Sequence, residues 1–140
     1  MKPKKLYHGS PKEIKGKLIP KKARDLGERP QNLYFGVYAT EKKEIAIAKA
    51  IIGCRGVKAS SLRFNKKPYG IIYEGEPEQE QVYLYVLPSE TFQKASAKQW
   101  YSPVPVKPIK VEKILVKDYE GLVRKATEKE KKKFFRKYRH

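Results

Sequence analysis

His8-Gly9-Ser10 closes a short apolar run, Leu6-Tyr7-His8, and Tyr38 lies in a second one, Phe35-Gly36-Val37-Tyr38-Ala39-Thr40, directly ahead of a helical pattern. A strand-borne imidazole beside a glycine-opened turn offers a ligand both a ring nitrogen and free backbone amides. A tyrosine ring adds a flat face on which an aromatic heterocycle can stack. Such a set suits a ligand that carries hydroxyls, an amide and a planar ring. Because the two blocks are far apart in the chain, only a tertiary fold can bring them together.

The elements that must do this are legible in outline. Thr40-Glu41-Lys42-Lys43-Glu44 reads as a Thr N-cap with acidic residues in the first turn, and Ile45, Ala48 and Ile52 then recur at helical spacing until Gly53. Residues 57–64 and 70–74 read as strands around an Asn65-Lys66-Lys67-Pro68 turn. Residues 81–87 alternate, with Val82, Leu84 and Val86 on one face and Tyr83 and Tyr85 on the other. Two further strands are expected at 99–102 and 111–116, joined through a proline-rich corner. One helical turn is expected at 11–15, followed by a long loop to residue 31. Thr127-Glu128-Lys129-Glu130 has the form of a capping box and predicts a terminal helix over 131–140. This order of elements predicts an α+β fold with a mostly antiparallel, split β-sheet and flanking helices. It forms one domain over residues 1–119, with a basic C-terminal helix or arm over 120–140.

The chain has 140 residues, and 33 basic against 15 acidic side chains leave it at a net +18. A surplus of that size on one small domain makes a positive field whose natural partners are polyanions, nucleic acid first. Cys54 is the single cysteine, which excludes an intrachain disulfide and a cysteine-based zinc set. It reads as a small semi-apolar filler in a protein of a reducing compartment. No run approaches the roughly 20 apolar residues of a membrane span and no leader-like apolar stretch is visible, so a cytoplasmic protein without a membrane partner is expected. No metal site is expected.

Taken in order, Leu6-Tyr7-His8-Gly9-Ser10, the Phe35–Thr40 block, the strand at 82–87 and Gln99-Trp100-Tyr101-Ser102 resemble the successive blocks of ADP-ribosyltransferase domains of the His-Tyr-Glu type. That family includes poly(ADP-ribose) polymerases and DNA-targeting toxins. The resemblance spans roughly residues 6–116. It implies the ADP-ribosyltransferase fold and NAD as co-substrate, with His8, Tyr38 and Gln99 at the three catalytic positions. His8 would hold a ribose hydroxyl, Gly9 and Ser10 would grip the nicotinamide amide, Tyr38 would stack on its ring, and Thr40 would complete the cofactor contacts. A toxin or mobile-element effector with an antitoxin or immunity partner is also implied.

The third position departs from the family, which has Glu where this chain has Gln99. A glutamine is isosteric and can hydrogen-bond a ribose hydroxyl, but it is neither a base nor an anion. Three accounts stand: a natural low-activity or repurposed enzyme, a deliberate Glu-to-Gln change that silences a toxic protein, or a third motif that belongs on another strand. For the last, Glu80 is the fallback, at the end of the acidic segment Glu74-Gly75-Glu76-Pro77-Glu78-Gln79-Glu80, which otherwise reads as a solvated loop. The charge directs the expected transfer toward DNA or RNA, with Lys131, Lys132, Lys133, Arg136, Lys137 and Arg139 as the nucleic-acid-binding set. Two alternatives remain: a non-catalytic basic nucleic-acid-binding domain on the same fold, and a tRNA 2′-phosphotransferase-like enzyme, against which Tyr38 stands where a histidine is expected.

Overall fold

The computed structural model describes residues 2–22, 35–96 and 98–138. Its strands are β1 (Lys5–Ser10), β2 (Lys21–Lys22), β3 (Phe35–Thr40), β4 (Val57–Leu62), β5 (Gly70–Gly75), β6 (Gln81–Pro88), β7 (Gln93–Lys94), β8 (Gln99–Ser102), β9 (Lys110–Leu115) and β10 (Val123–Lys125). Helix α1 is Lys43–Ile52, a 3₁₀ segment covers Val116–Leu122, and helix α2 is Glu128–Tyr138. The larger sheet runs β7-β8-β3-β1-β6-β9 with β2 added to β3, and the smaller runs β10-β5-β4. The mixed α+β architecture expected from the sequence is present. Pairing is antiparallel throughout these ladders except between β10 and β5.

The alternation in β6 explains the layers. Val82 and Leu84 join the core around α1, together with Ile45, Ile47, Ile51 and Ile114. Tyr85 and Leu87 point the other way, into a second core with Leu6, Leu18, Val37, Phe92 and Trp100. Partly buried Val57, Leu62 and Val123 of the smaller sheet also pack on the first core. Helix α1 is therefore enclosed between the sheets rather than flanking them, and six of its ten residues are buried. Each fully buried isoleucine contributes about 1.5–3 kcal/mol. Cys54 closes this core as a filler: it is buried, its thiol donates to the Ala50 carbonyl at 3.6 Å, and burial pushes its pKa up to about 11.

Several local expectations are corrected. The helix starts two residues later than a Thr40 cap requires: Lys42 is the N-cap, and its carbonyl accepts from the amides of Ile45 and Ala46. The Thr40 hydroxyl instead accepts from the Lys42 amide at 3.4 Å, turning the chain into the helix. Residues 11–12 bend and 13–15 take no regular structure, with the Ile14 amide held by the Tyr85 hydroxyl instead of a helical turn. Within the expected long loop, Leu18 bridges Val106 and Lys21–Lys22 pairs with β3, while residues 23–31 lie outside the described residues. The expected boundary at 119/120 coincides with a kink at Tyr119 inside Val116–Leu122, after which Leu122 is buried and β10 follows as a sheet strand.

Candidate functional site

Strand β1 runs against β6 along its whole length, from Lys5↔Pro88 to Ser10↔Tyr83, but registers with β3 only at Tyr7↔Thr40. Past that position the β1/β3 ladder stops, and a side chain takes over. His8 Nδ1 lies 2.6 Å from the Tyr38 carbonyl oxygen. A carbonyl can only accept, so Nδ1 carries the hydrogen and Nε2 presents a lone pair. The half-buried imidazole is lowered from its ordinary value of 6.5 to about 4, chiefly by burial, then by the Lys49 charge, with Lys21 adding to it against the Tyr38 bond. At neutral pH the ring is thus uncharged, with its tautomer fixed and an acceptor free of the Tyr38 bond.

Gly9 has a packing role that sequence reasoning did not supply. A Cβ built on it would stand 1.9 Å from the Ala46 carbonyl oxygen and 2.8 Å from the Ala46 carbonyl carbon, so only glycine lets α1 lie against β1 here. The Ser10 hydroxyl accepts from the Lys12 amide at 3.2 Å, which leaves its own hydrogen to donate.

Gln99 sits on β8 opposite Thr40, and Tyr101 opposite Tyr38. The motif residues His8, Tyr38 and Gln99 therefore occupy three consecutive strands, β1, β3 and β8. Paired residues share a sheet face, so Tyr38, Thr40, Gln99 and Tyr101 lie on one side, and the Tyr38 and Tyr101 rings are 6.4 Å apart. His8 pairs with Tyr85 and so takes the opposite face, its ring 6.2 Å from that of Tyr85, and it meets this group only through its bond to the Tyr38 backbone carbonyl. Gln99 is buried, and among the described residues nothing hydrogen-bonds its side-chain amide, although its backbone carbonyl accepts from Ala95 and Ser96. Trp100, on the opposite face, donates to Glu41 at 2.7 Å and fills the second core.

Two site residues escaped the sequence reading. Lys49 of α1 places Nζ 5.9 Å from the centroid of the Tyr38 ring. Lys21 pairs opposite Gly36, two residues from Tyr38 and on the same face. Burial and the Lys21 charge lower the Lys49 pKa. The signal for Lys49 was present: it is the one charged residue between Ile45 and Ile52. Lys21 gave none, standing in a run of lysines.

The fallback Glu80 is exposed at the entrance to β6, and its backbone carbonyl accepts from the Val116 amide at 2.9 Å, toward the 3₁₀ segment. The preceding acidic loop is tied down at Gln79, which accepts from the Arg55 amide at 2.9 Å and donates to the Pro11 carbonyl at 2.8 Å. An open depression of about 280 Å³ lies on the smaller-sheet side, lined by Ile72, Tyr119 and Val123 among others, and none of His8, Tyr38 or Gln99 lines it.

At the C-terminus the capping box forms reciprocally, Thr127 amide to Glu130 at 2.9 Å and Glu130 amide to the Thr127 hydroxyl at 3.2 Å. Arg124 grips both Glu130 oxygens, and this pairing, with the Thr127 bonds, holds that carboxyl at about 2. Phe134 stacks on Tyr73 with centroids 4.0 Å apart, and Phe135 meets Phe134 edge-on. Phe134 and Phe135 therefore pack inward or on each other. Lys132, Lys133, Arg136 and Lys137 are exposed, Lys131 pairs with Glu128 at 3.4 Å, and Arg139 lies outside the described residues. Among the described residues no helix is long and apolar enough to cross a membrane.

Compared with protein-family models, curated proteins and solved structures, the chain matches none.

Proposed function

We propose that the parting of β1 and β3 forms the NAD-binding cleft of an ADP-ribosyltransferase-type domain, with slow transfer of ADP-ribose to nucleic acid. The observation that carries this reading is the His8 arrangement: an uncharged imidazole, fixed by the Tyr38 carbonyl, with Nε2 left to accept from a ribose hydroxyl. The fit to the dinucleotide is good at its hydroxyls and amide, where His8, Gly9 and Ser10 supply acceptor and donor groups. It is poorer at the charged nicotinamide ring, because Lys49 stands over Tyr38.

When bound, NAD supplies an electrophilic ribose carbon. Its bond to nicotinamide breaks with the electron pair leaving on nicotinamide, and an acceptor lone pair forms the new bond. The work of the chain is to orient the ribose through His8 and to hold a hydroxyl through the Gln99 amide. Because Gln99 accepts no proton and carries no charge, the acceptor's proton passes to water and positive character on the ribose goes unopposed, which makes turnover slow. The net +18 favours a nucleic-acid acceptor.

The test is incubation of the protein with NAD labelled in its adenosine part, in the presence of DNA, RNA and lysate protein, with nicotinamide release measured in parallel. Label on nucleic acid supports the reading, and label confined to protein overturns the acceptor. Absence of NAD binding by both the natural chain and Gln99→Glu overturns the whole proposal. The neutral Gln99 itself favours a second reading, binding without turnover. Bound NAD with no nicotinamide release, restored in Gln99→Glu, would select it.

A further inference from the structure

Strand β9 ends the larger sheet, with β6 on one side and no strand on the other. The Val116 amide donates to the Glu80 carbonyl at 2.9 Å, one step beyond the Gln81↔Leu115 pair. Bonded and non-bonded pairs alternate along an antiparallel ladder, so the even-numbered residues of β9 bond β6, and the N–H and C=O groups of Val111, Lys113 and Leu115 point outward. The Ser89 amide donates to the Lys4 carbonyl at 3.3 Å, which in the same way gives the odd-numbered residues of β6 to β1 and leaves its even-numbered ones to β9. Among the described residues nothing hydrogen-bonds the outward groups of β9.

The side chains single out the same edge. Ile109, Val111 and Leu115 are 56%, 47% and 42% exposed, and they are three of the five exposed large hydrophobic residues described. Val111 and Leu115 share a face of β9 with Lys113 between them, opposite Tyr85, Gln81 and Tyr83 respectively. Lys107, Lys110, Lys113 and Lys117 are exposed along this stretch, and among the described residues none is paired with a carboxylate. Glu112, the one acidic residue in 107–117, is engaged by Lys43 at 3.6 Å.

An open edge with exposed apolar side chains is a template for a further strand, and lysines on such edges guard against self-pairing. Here the lysines also select. A second copy centred on Lys113 sets that lysine against itself and brings two chains of net +18 together, and like charges directly opposite destabilise a strand pair. An acidic strand meets the same lysines favourably and lays its own apolar residues on Val111 and Leu115.

We propose that the outer edge of β9 takes an extended acidic segment of a partner protein, which joins the larger sheet as an added strand. Main-chain bonds to Val111, Lys113 and Leu115 hold it, and its carboxylates meet Lys110 and Lys113. The surface is independent of the nucleotide reading, because β6 lies between β9 and the strand that carries His8.

The probe is a fluorescent peptide of alternating valine and glutamate, cut to the length of β9 and read by anisotropy. It is compared with the same peptide N-methylated at its central amides, with a valine-lysine peptide, and with a single-stranded DNA oligonucleotide of matched charge. The proteins are the natural chain, Val111→Asp, Lys113→Glu and, as a charge control on α2, Lys129→Glu, each first shown to melt as the natural chain does; the glutamine variant at the same position replaces one that does not. The valine-glutamate peptide is expected to lose about fivefold or more in affinity in Val111→Asp and in Lys113→Glu, the scale of exchanging a favourable cross-strand pair for a repulsive one. Lys129→Glu is expected to change little, and the N-methylated and lysine peptides to bind far more weakly. On adding the peptide, amide hydrogen exchange should slow at Val111, Lys113 and Leu115. No binding of the valine-glutamate peptide, equal binding of its N-methylated form, or an equal loss in the control overturns the proposal. DNA that displaces the peptide and loses affinity in the same two variants assigns the edge to nucleic acid instead. A natural chain that sediments as a dimer, and as a monomer in Val111→Asp, assigns it to a second copy; either result also overturns the proposal.

Discussion

The cations around α2 and those beside Tyr38 are placed in opposite ways. Near α2, Arg124 is clasped by Glu130 at 2.8 and 2.9 Å, Lys125 faces Glu76 at 3.5 Å and Lys131 faces Glu128 at 3.4 Å. The exposed Lys132, Lys133 and Arg136 are hydrated, which makes an unpaired charge cheap. Beside Tyr38, Lys49 and Lys21 are exposed too, but among the described residues neither is paired with a carboxylate, and Lys49 lies 5.9 Å over the Tyr38 ring instead. The net +18 is thus two populations: cations tied to carboxylates that support the fold, and exposed, hydrated cations that give a diffuse field.

The contrast breaks most severely at Gly9. Gly9→Ala drives a Cβ into the Ala46 backbone, and a loss of about 3 kcal/mol or more is expected in denaturant melts, against about 0.5 kcal/mol or less for Lys132→Ala on the exposed face of α2. Gln99→Glu restores a carboxylate to the cleft and is expected to raise nicotinamide release about 100-fold, the scale of general acid–base catalysis. An unchanged rate would assign Gln99 to structure alone. Phe134→Ala removes the stack on Tyr73 and is expected to cost about 1–2 kcal/mol in thermal melts while leaving NAD affinity as it was, which separates the two regions.

The smallest effects are in pH. His8 titrates near 4 rather than 6.5, so NAD affinity should stay flat from pH 8 to 5 and fall only as Nε2 takes a proton near 4. The unfolded chain takes that proton first, so stability begins to decline below about 6.5 and goes on declining to about 4. For Glu130 the carboxyl is depressed, so its support of α2 is present above the ordinary 4.5 and fades as pH falls toward 2. Circular dichroism of the helix should show α2 outlasting NAD binding on acidification.

The strands with strong alternation were legible, β6 above all, because each of its faces meets a different core. Helix α1 was legible in its length and its stop at Gly53. Its enclosure between two sheets was less so, although the run Ile45–Ala48 is apolar on every side. The short strands β2, β7 and β10 have two or three residues and carry no periodicity, and the parallel pairing of β10 with β5 depends on contacts distant in sequence. His8, Tyr38 and Gln99 were singled out by residue type and order, which puts them on three neighbouring strands but does not reveal that His8 faces away from the other two. The role of Gly9 was invisible because the atom that excludes a side chain belongs to Ala46, on another element. Lys49 and Lys21 were missed because a lysine in a lysine-rich chain carries little information until its surroundings are known.

The central claim is that His8, neutral and fixed through Nδ1, meets NAD with Nε2. Only His8 and His140 are histidines, so nitrogen-detected NMR of the two imidazoles resolves the question directly. At pH 7 the claim predicts that His8 is the Nδ1–H tautomer before any ligand is added, and that its Nε2 resonance moves on titration with NAD while His140 stays where it was. A His8 that is protonated, that averages between tautomers, or that does not respond to NAD would contradict it.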